Sequence, residues 1–156
     1  ASPMFGSCCK KKGASPLLGI LGIAVMVLGA QAWMNRDGIT PDIYAQGVPL
    51  DHAIKLAEEY DRVVFAVATA DWCPPCKTYK RGALSDDRVA AWLGANAVPI
   101  LVDVDDFPDD PSRLGVSSIP ATFILRDGEV VARSEGAWSA GALLDWLNTY
   151  AVTTPD

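Results

Sequence analysis

RVVFAVATADWCPPCKTYK, residues 62–80, contains the strongest structural signal in this chain. Its first part, residues 62–69, is a continuous apolar run, which is typical of a strand covered on both faces. Its last part, residues 77–80, is compatible with a helix. Between them, Cys73 and Cys76 are three positions apart, where they can form a disulfide or present one reactive thiolate. The free N–H groups and the dipole at the start of such a helix would favour a thiolate on Cys73, which indicates thiol chemistry.

The same Cys-x-x-Cys pair could also be half of a zinc site. A structural zinc ion needs four Cys or His ligands, usually in two closely spaced pairs. The other cysteines are Cys8 and Cys9, far back on the other side of an apolar segment, and His52 is the one histidine. The missing second pair argues against zinc.

Charge is distributed unevenly along the chain. Lys10, Lys11 and Lys12 precede the apolar segment, and all 19 acidic residues follow it. Residues 35–156 contain 10 Lys and Arg against 19 Asp and Glu, a net charge of −9 with His neutral. Nucleic-acid binding needs clustered cations, so we expect no nucleic-acid partner.

The apolar segment, residues 17–34, reads LLGILGIAVMVLGAQAWM and contains no charged residue. As a helix it would be about 27 Å long, just enough to cross the hydrocarbon core of a bilayer. The lysines on its amino side predict a cytoplasmic N-terminus and a periplasmic or exoplasmic acidic domain. We therefore predict a single-pass membrane protein with residues 17–34 as a signal anchor.

A cleaved signal peptide is the rival interpretation of this segment. Ala30-Gln31-Ala32 has the small-x-small pattern of a cleavage site, and cleavage would export the domain as well. The chain starts at Ala1 without an initiator Met and still contains the segment, which favours a retained anchor. Cys8 and Cys9 could be acylated in a eukaryotic cell, or could be free thiols without a role.

The predicted organisation has five parts. They are a basic cytoplasmic N-terminus (residues 1–16), the membrane helix (17–34), a Gly/Pro/Asp-rich linker (35–48), one globular domain (49–152) and a tail (153–156). We expect a short strand near Ile43 within the linker. The globular part is long enough to bury a core without disulfide staples.

Apolar spacing and turn signals predict the elements of the globular domain. Amphipathic helices are expected over residues 49–60, 86–95 and 140–150, with Ser85 and Ser139 as the N-caps of the last two. Strands are expected over residues 62–69, 98–104, 121–126 and 129–134, the last two joined by an Asp127-Gly128 hairpin turn. If the helix after Cys76 and the helix over 86–95 are counted as one helical region, and one turn follows the acidic loop 105–112, the order is helix, strand, helix, strand, helix, strand, strand, helix. This order predicts an α/β fold, a central mixed sheet flanked by helices.

The order, with Trp-Cys-x-x-Cys after the first central strand, resembles the thioredoxin fold over roughly residues 50–150. Three separated signatures carry the resemblance: residues 71–77 (DWCPPCK), residues 118–123 (SIPATF) and Gly136 before the last helix. Three shorter segments are also similar to the exported C-terminal domain of DsbD-type thiol:disulfide interchange proteins and their membrane-tethered single-domain relatives. These segments are residues 70–73, 84–89 and 102–104.

The resemblance implies a catalytic pair and no separate cofactor. Cys73, at the exposed start of the helix, would attack as the thiolate, and the more buried Cys76 would resolve the mixed disulfide. Their redox-active disulfide would take the place of a cofactor, and no metal is expected.

The resemblance also implies a client-binding surface. Pro120 matches the family's cis-proline, and the backbone of Ile119 before it would hold a substrate strand. Trp72 would shield the sulfurs, although it could instead be a core aromatic. Gly136 would lie near the substrate groove.

Two positions depart from the family pattern. Many thioredoxins bury an acid six residues before the first cysteine, with a lysine nearby, to move the proton of the resolving thiol. Val67 and Leu101 stand at these places, so proton transfer would have to use Asp71, water or substrate. Pro74 and Pro75 also remove two N–H donors from the turn, which weakens the stabilisation of a thiolate.

The leading interpretation is a membrane-anchored thiol–disulfide oxidoreductase that reduces disulfides of exported proteins through Cys73 and Cys76. Its expected partners are protein disulfide or thiol clients, a separate electron donor, the membrane through residues 17–34, and as a further option a larger membrane complex. The alternative is a non-catalytic accessory subunit of such a complex, with the fold as a scaffold. The missing acid and lysine favour the alternative mildly, whereas the cysteine pair and Pro120 argue against it.

Overall fold

The structure is a computed structural model that describes Met26 and residues 42–151. The predicted N-terminus (1–16), most of the predicted membrane segment (17–34), the first part of the linker and the tail (153–156) lie outside these residues. Cys8 and Cys9 lie outside them as well. None of the described helices combines the length and the apolar character that a bilayer crossing requires.

The described chain has its helical regions and strands in the predicted order, except that the helix expected after residue 112 begins at Asp109, within the predicted loop. The helices are α1 (Leu50–Glu59), α2 (Pro74–Arg81), α3 (Asp87–Asn96), α4 (Asp109–Leu114) and α5 (Ala140–Tyr150). The strands are β1 (Val63–Thr69), β2 (Ala97–Asp103), β3 (Ala121–Arg126) and β4 (Glu129–Glu135).

The four strands form one mixed sheet in the order β2-β1-β3-β4. β1 is parallel to β2 and antiparallel to β3, and β3 is antiparallel to β4. Asp127 and Gly128, at the β3–β4 turn, have φ angles of 51° and 78°, the left-handed values that a tight hairpin turn requires. The predicted parallel part and the closing hairpin are therefore confirmed.

β1 lies at the centre of the fold, and all seven of its residues are buried. Its odd-numbered side chains up to Val67 pack in one core with α2, α3 and α5, and its even-numbered side chains pack in a second core with α1 and α4. Burying a Val or Phe side chain stabilises a fold by about 1.5–3 kcal/mol, so this strand contributes strongly to both cores. We call the first side the α2 face of β1, because α2 carries both cysteines.

The cap of α3 differs from the prediction. Asp86, not Ser85, is the N-cap, and its carboxylate accepts a hydrogen bond of 3.0 Å from the N–H of Arg88. The Ser85 hydroxyl instead donates to the carbonyl oxygen of Lys80 at 2.6 Å, near the end of α2. Ser and Asp are both good N-caps, so the sequence did not decide between these neighbours. The prediction was wrong because the Ser85 hydroxyl forms its hydrogen bond with Lys80, and Asp86 therefore caps α3.

The folded part of the chain begins before residue 49. Ala45 forms a parallel bridge with Ile100 on the outer edge of β2, with two backbone hydrogen bonds of 2.9 and 3.0 Å. Tyr44 is 3% exposed, and its hydroxyl donates to the carbonyl oxygen of Leu84 at 3.2 Å. The strand expected near Ile43 is therefore a single bridge, and these two residues pack with the domain although they were assigned to the linker.

Candidate active site

Cys73 and Cys76 lie where β1 passes into α2. Their sulfurs form a disulfide with an S–S distance of 2.05 Å. The backbone N–H of Cys73 donates to the carbonyl oxygen of Ala70 at 3.2 Å. This hydrogen bond closes the turn between strand and helix, and it brings the cysteine pair back against the end of β1.

The Cys73 sulfur lies at the amino end of α2, as the sequence indicates. Cys73 is the N-cap residue, and its sulfur accepts a hydrogen bond from the backbone N–H of Cys76 at 3.2 Å. Pro74 and Pro75 fill the first two helical positions and have no N–H, so the Cys76 amide is the first donor that α2 can offer. This amide and the helix dipole would stabilise a Cys73 thiolate once the disulfide opens.

Both cysteines are covered by neighbouring side chains. Cys73 is only 3% exposed and Cys76 only 1%, so Cys73 is less exposed than we expected. Ala70, Val104 and Ile119 pack around the pair. Val104 was not a candidate site residue, although it directly follows β2, whose carboxyl end meets that of β1 in a parallel pair.

The peptide bond between Ile119 and Pro120 is cis, as predicted. The carbonyl oxygen of Ile119 lies 4.0 Å from the Cys73 sulfur. Pro120 is buried, Ile119 is half-buried, and β3 begins at the next residue, Ala121. The structure therefore brings Ile119 and Pro120 to the disulfide, and the role of Ile119 in holding a client strand stays a prediction.

Gly136 is hydrogen-bonded to the loop that contains Pro120. Its N–H donates to the carbonyl oxygen of Pro120 at 2.8 Å, and its φ of 87° is one that glycine adopts readily. Beside it, Glu135 accepts a hydrogen bond of 2.6 Å from the Ser117 hydroxyl. Hydrogen bonds from Ser117 and Ser118 lower the pKa of Glu135. Hydrogen bonds thus join the end of β4 to residues 117–120. The sequence did not predict this contact of Glu135.

Trp72 lies outside the core, on the turn before α2. Its side chain is 66% exposed, which excludes the core-aromatic alternative. The indole N–H donates to the Asp105 carboxylate at 2.8 Å, so the turn is joined to the loop after β2. The exposed indole presents apolar surface on this turn, and its shielding of the sulfurs stays a prediction.

The α2 face of β1 is built from apolar side chains and, around Val67, neutral hydroxyls. Val67 and Leu101, which replace the family's acid and lysine, are cross-strand neighbours and are 1% and 4% exposed. On the other side of Val67 is Thr122, whose hydroxyl is 3.2 Å from that of Tyr79. Burial raises the pKa of Tyr79 to about 12, so its hydroxyl stays neutral. Asp71, the other candidate proton carrier, is exposed on the turn.

The candidate site contains two sulfurs but no thiolate ligand for a metal, because Cys73 and Cys76 are bonded to each other. Within the described part of the chain, no group of three His, Cys, Asp or Glu side chains is placed to hold a metal ion. The site as built is suited to exchange of a disulfide with another pair of thiols.

Comparison with known proteins gives consistent matches to one family. A family described as a thioredoxin-like domain matches residues 50–151. The thioredoxin of Rhodospirillum rubrum is 33% identical over 78 residues, 50% of this chain and 72% of that protein. The thioredoxin of Bacillus subtilis (strain 168) is 34% identical over 94 residues, 60% of this chain and 88% of that protein. Among solved structures, a thioredoxin from Thermus thermophilus has a TM-score of 0.60 at 27% identity, covering 68% of this chain and 85% of that one.

Proposed function

This chain belongs to the thioredoxin-like domain family, and we propose that within it the protein is a membrane-anchored oxidoreductase that reduces disulfides of exported proteins. Thiol–disulfide exchange is the general chemistry of the family, and the Cys73–Cys76 disulfide is the group that performs it. One observation carries the proposal: the disulfide begins α2 and lies 4.0 Å from the Ile119 carbonyl, at the end of a strand where a client could pair.

The reaction uses the dithiol form of the pair. The Cys73 thiolate attacks one sulfur of a client disulfide, a Cys73–client bond forms, and the other client sulfur leaves as a thiolate. Cys76 then loses its proton and attacks the Cys73 sulfur, which releases the client and forms the Cys73–Cys76 disulfide. The client gains two electrons and two protons, so a separate electron donor must reduce the pair again.

The client is proposed to bind across the loop before β3. Its extended backbone would hydrogen-bond to Ile119, beside the covered disulfide. Trp72 would border the client on one side, because its indole is exposed and joined to Asp105. Gly136 would border it on the other side, where the space next to its Cα is open.

The proposed direction of the reaction follows from the start of α2. A strongly oxidising pair is one whose dithiol form is stabilised, chiefly through the thiolate of its first cysteine. Pro74 and Pro75 remove two of the N–H donors that would stabilise that thiolate. The pair is therefore expected to give electrons to clients rather than take them.

The proposed location rests on the sequence alone. The uncharged segment 17–34 with three lysines before it supports an anchor with a cytoplasmic N-terminus and an exported domain. The similarity of residues 84–89 to DsbD-type proteins supports a tethered relative of that group. In a membrane fraction sealed with the cytoplasmic side inward, added protease should digest the domain. Recovery of the domain in the soluble fraction, or its protection until detergent is added, would overturn this location.

An insulin-reduction assay tests the proposed activity. The full chain in detergent, with dithiothreitol as the electron donor, should reduce insulin faster than the uncatalysed reaction, and Cys73→Ser should return the rate to that background. The Cys8→Ser/Cys9→Ser double variant is the matched control and should keep the activity. Equal rates for the wild type and Cys73→Ser would overturn the proposal and favour the non-catalytic scaffold.

A further inference from the structure

The carboxylate of Glu135 binds the two residues that precede Ile119. Glu135 is the last residue of β4, and its Oε1 accepts a hydrogen bond of 2.6 Å from the Ser117 hydroxyl. A hydrogen bond this short is typical of a hydroxyl that donates to an ionised carboxylate. Ser118 donates to the same carboxylate, and the hydrogen bonds from Ser117 and Ser118 lower the pKa of Glu135. The ionised form of Glu135 is therefore the form that holds these serines.

Ile119 lies between two attachments to the end of β4. Before it in the chain, Glu135 holds the two serines. After it, the carbonyl oxygen of Pro120 accepts a hydrogen bond of 2.8 Å from the N–H of Gly136. Residues 115–120, between α4 and β3, belong to neither a helix nor a strand, so no ladder of backbone hydrogen bonds fixes this loop. Its course beside the disulfide therefore depends on the two attachments.

The backbone of Ile119 is itself unpaired. Neither its N–H nor its carbonyl oxygen takes part in a backbone–backbone hydrogen bond within the part of the chain that the structure describes. The carbonyl oxygen lies 4.0 Å from the Cys73 sulfur. Both groups can therefore pair with an extended client backbone at the disulfide, provided that the loop keeps its conformation.

The order of this loop should decide how tightly a client binds. A loop that moves must be ordered when a client strand pairs with it, and the lost conformational entropy weakens binding. We propose that Glu135 is a positioning residue that acts through Ser117 and Ser118 and fixes the Ile119 backbone in the conformation that pairs with a client. The inference rests on the proposed function. It concerns the binding of a protein client and not the reactivity of the cysteines.

Single-turnover reduction separates client binding from cysteine reactivity. The full chain is reduced, freed of reductant and mixed with increasing concentrations of insulin, which gives a maximal rate and a half-saturating concentration. Glu135→Ala should raise the half-saturating concentration about two- to fourfold, the effect of exposed hydrogen bonds, and leave the maximal rate unchanged. Hydroxyethyl disulfide has no peptide backbone to pair with Ile119, so the rate of its reduction should not change.

Three further variants define the contact. Ser117→Ala removes the same hydrogen bond from the other side and should give a similar rise, and Ser117→Ala/Glu135→Ala should be no worse than Glu135→Ala alone. Glu135→Gln keeps an oxygen acceptor and should stay within about 1.5-fold of the wild type. Glu129→Ala is the matched control, because it removes the same charge at the opposite end of β4, and it should behave as the wild type.

The results separate a failure of this inference from a failure of the proposed function. Equal half-saturating concentrations for the wild type and Glu135→Ala, or an equal rise in Glu129→Ala, would overturn the inference and leave the proposed function intact. A slower reaction of Glu135→Ala with both disulfides would assign the residue to the fold or to the cysteines, which also overturns the inference. A wild type that reduces neither disulfide would overturn the proposed function, and this inference with it.

Discussion

Around Cys73 the structure is organised by hydrogen bonds between polar groups, whereas on the α2 face of β1 it is packed from apolar side chains and hydroxyls. In the first region, which we call the rim, the Trp72 indole is bonded to Asp105 and the Gly136 amide to the Pro120 carbonyl. In the second, the interior, Val67 and Leu101 lie side by side at 1% and 4% exposure.

Under the proposed function, the two halves of the exchange reaction would depend on these two regions. Under that function, the rim would shape the surface that a client meets and offer the Cys76 N–H to the attacking sulfur, so it should control client binding and the first attack. The interior has Val67 and Leu101 at the places where the family has its acid and lysine, so it should control resolution and stability. Substitutions in the two regions should therefore have separable effects.

The largest expected effect comes from an acid placed in the interior. Val67→Asp buries a carboxyl group between Leu101 and Thr122, and at pH 7 it should lower the free energy of unfolding by about 3–5 kcal/mol. Burial raises the folded-state pKa of such an acid above its unfolded value, so the destabilisation should grow as the pH rises from 4 to 7.

Val67→Asn is the matched control for this substitution, because it adds a similar polar group that does not ionise. Its effect on the free energy of unfolding, measured by denaturant titration, should be smaller at pH 7 and nearly independent of pH. If both variants lose the same free energy of unfolding at pH 7, the interior solvates charge. The contrast between an apolar interior and a hydrogen-bonded rim would then be wrong.

A smaller effect is expected at the rim from Asp105→Ala. Loss of the acceptor frees the Trp72 indole, and the KM for a protein client should rise about two- to fivefold with little change in kcat, the effect of one exposed hydrogen bond. Asp106→Ala is the control, because it removes the same charge from the same loop. If both variants raise KM equally, the loop acts through its charge and the bond to Trp72 is irrelevant.

The smallest effect is expected from Glu135, which is exposed at the rim. Hydrogen bonds from Ser117 and Ser118 lower the pKa of Glu135 below the ordinary value of 4.5. The ionised carboxylate therefore stabilises the fold above pH 4.5, and this stabilisation is lost as the pH falls through the lowered pKa. The stability difference between the wild type and Glu135→Gln should shrink from pH 6 to pH 3. Ser117→Ala should weaken the same pH dependence, and a difference that grows on acidification would contradict this account.

Local sequence patterns predicted much of the architecture. The continuous apolar run of β1, the Asp127-Gly128 turn and the Ser139 cap each depend on residues within a few positions of one another. Ser139 does accept a hydrogen bond from the Ala142 N–H at 3.3 Å. Such signals are visible in a sequence because the physical interaction is itself local.

The parts that could not be predicted depend on how distant segments meet. The Trp72–Asp105 bond joins residues 33 positions apart, and the Ser117–Glu135 bond joins residues 18 apart. Neither pair has a spacing that marks it as a contact, because strand register and loop course decide it.

Trapping of the mixed disulfide tests the central claim most directly, namely that Cys73 attacks and Cys76 resolves. Both single variants, Cys76→Ser and Cys73→Ser, are made in a full chain that lacks Cys8 and Cys9, and each is mixed with a disulfide client, quenched in acid and mapped by mass spectrometry. The account predicts that Cys76→Ser accumulates client on Cys73, while Cys73→Ser traps little client on Cys76. Equal or greater trapping on Cys76, or no trapped client in either variant, would contradict it.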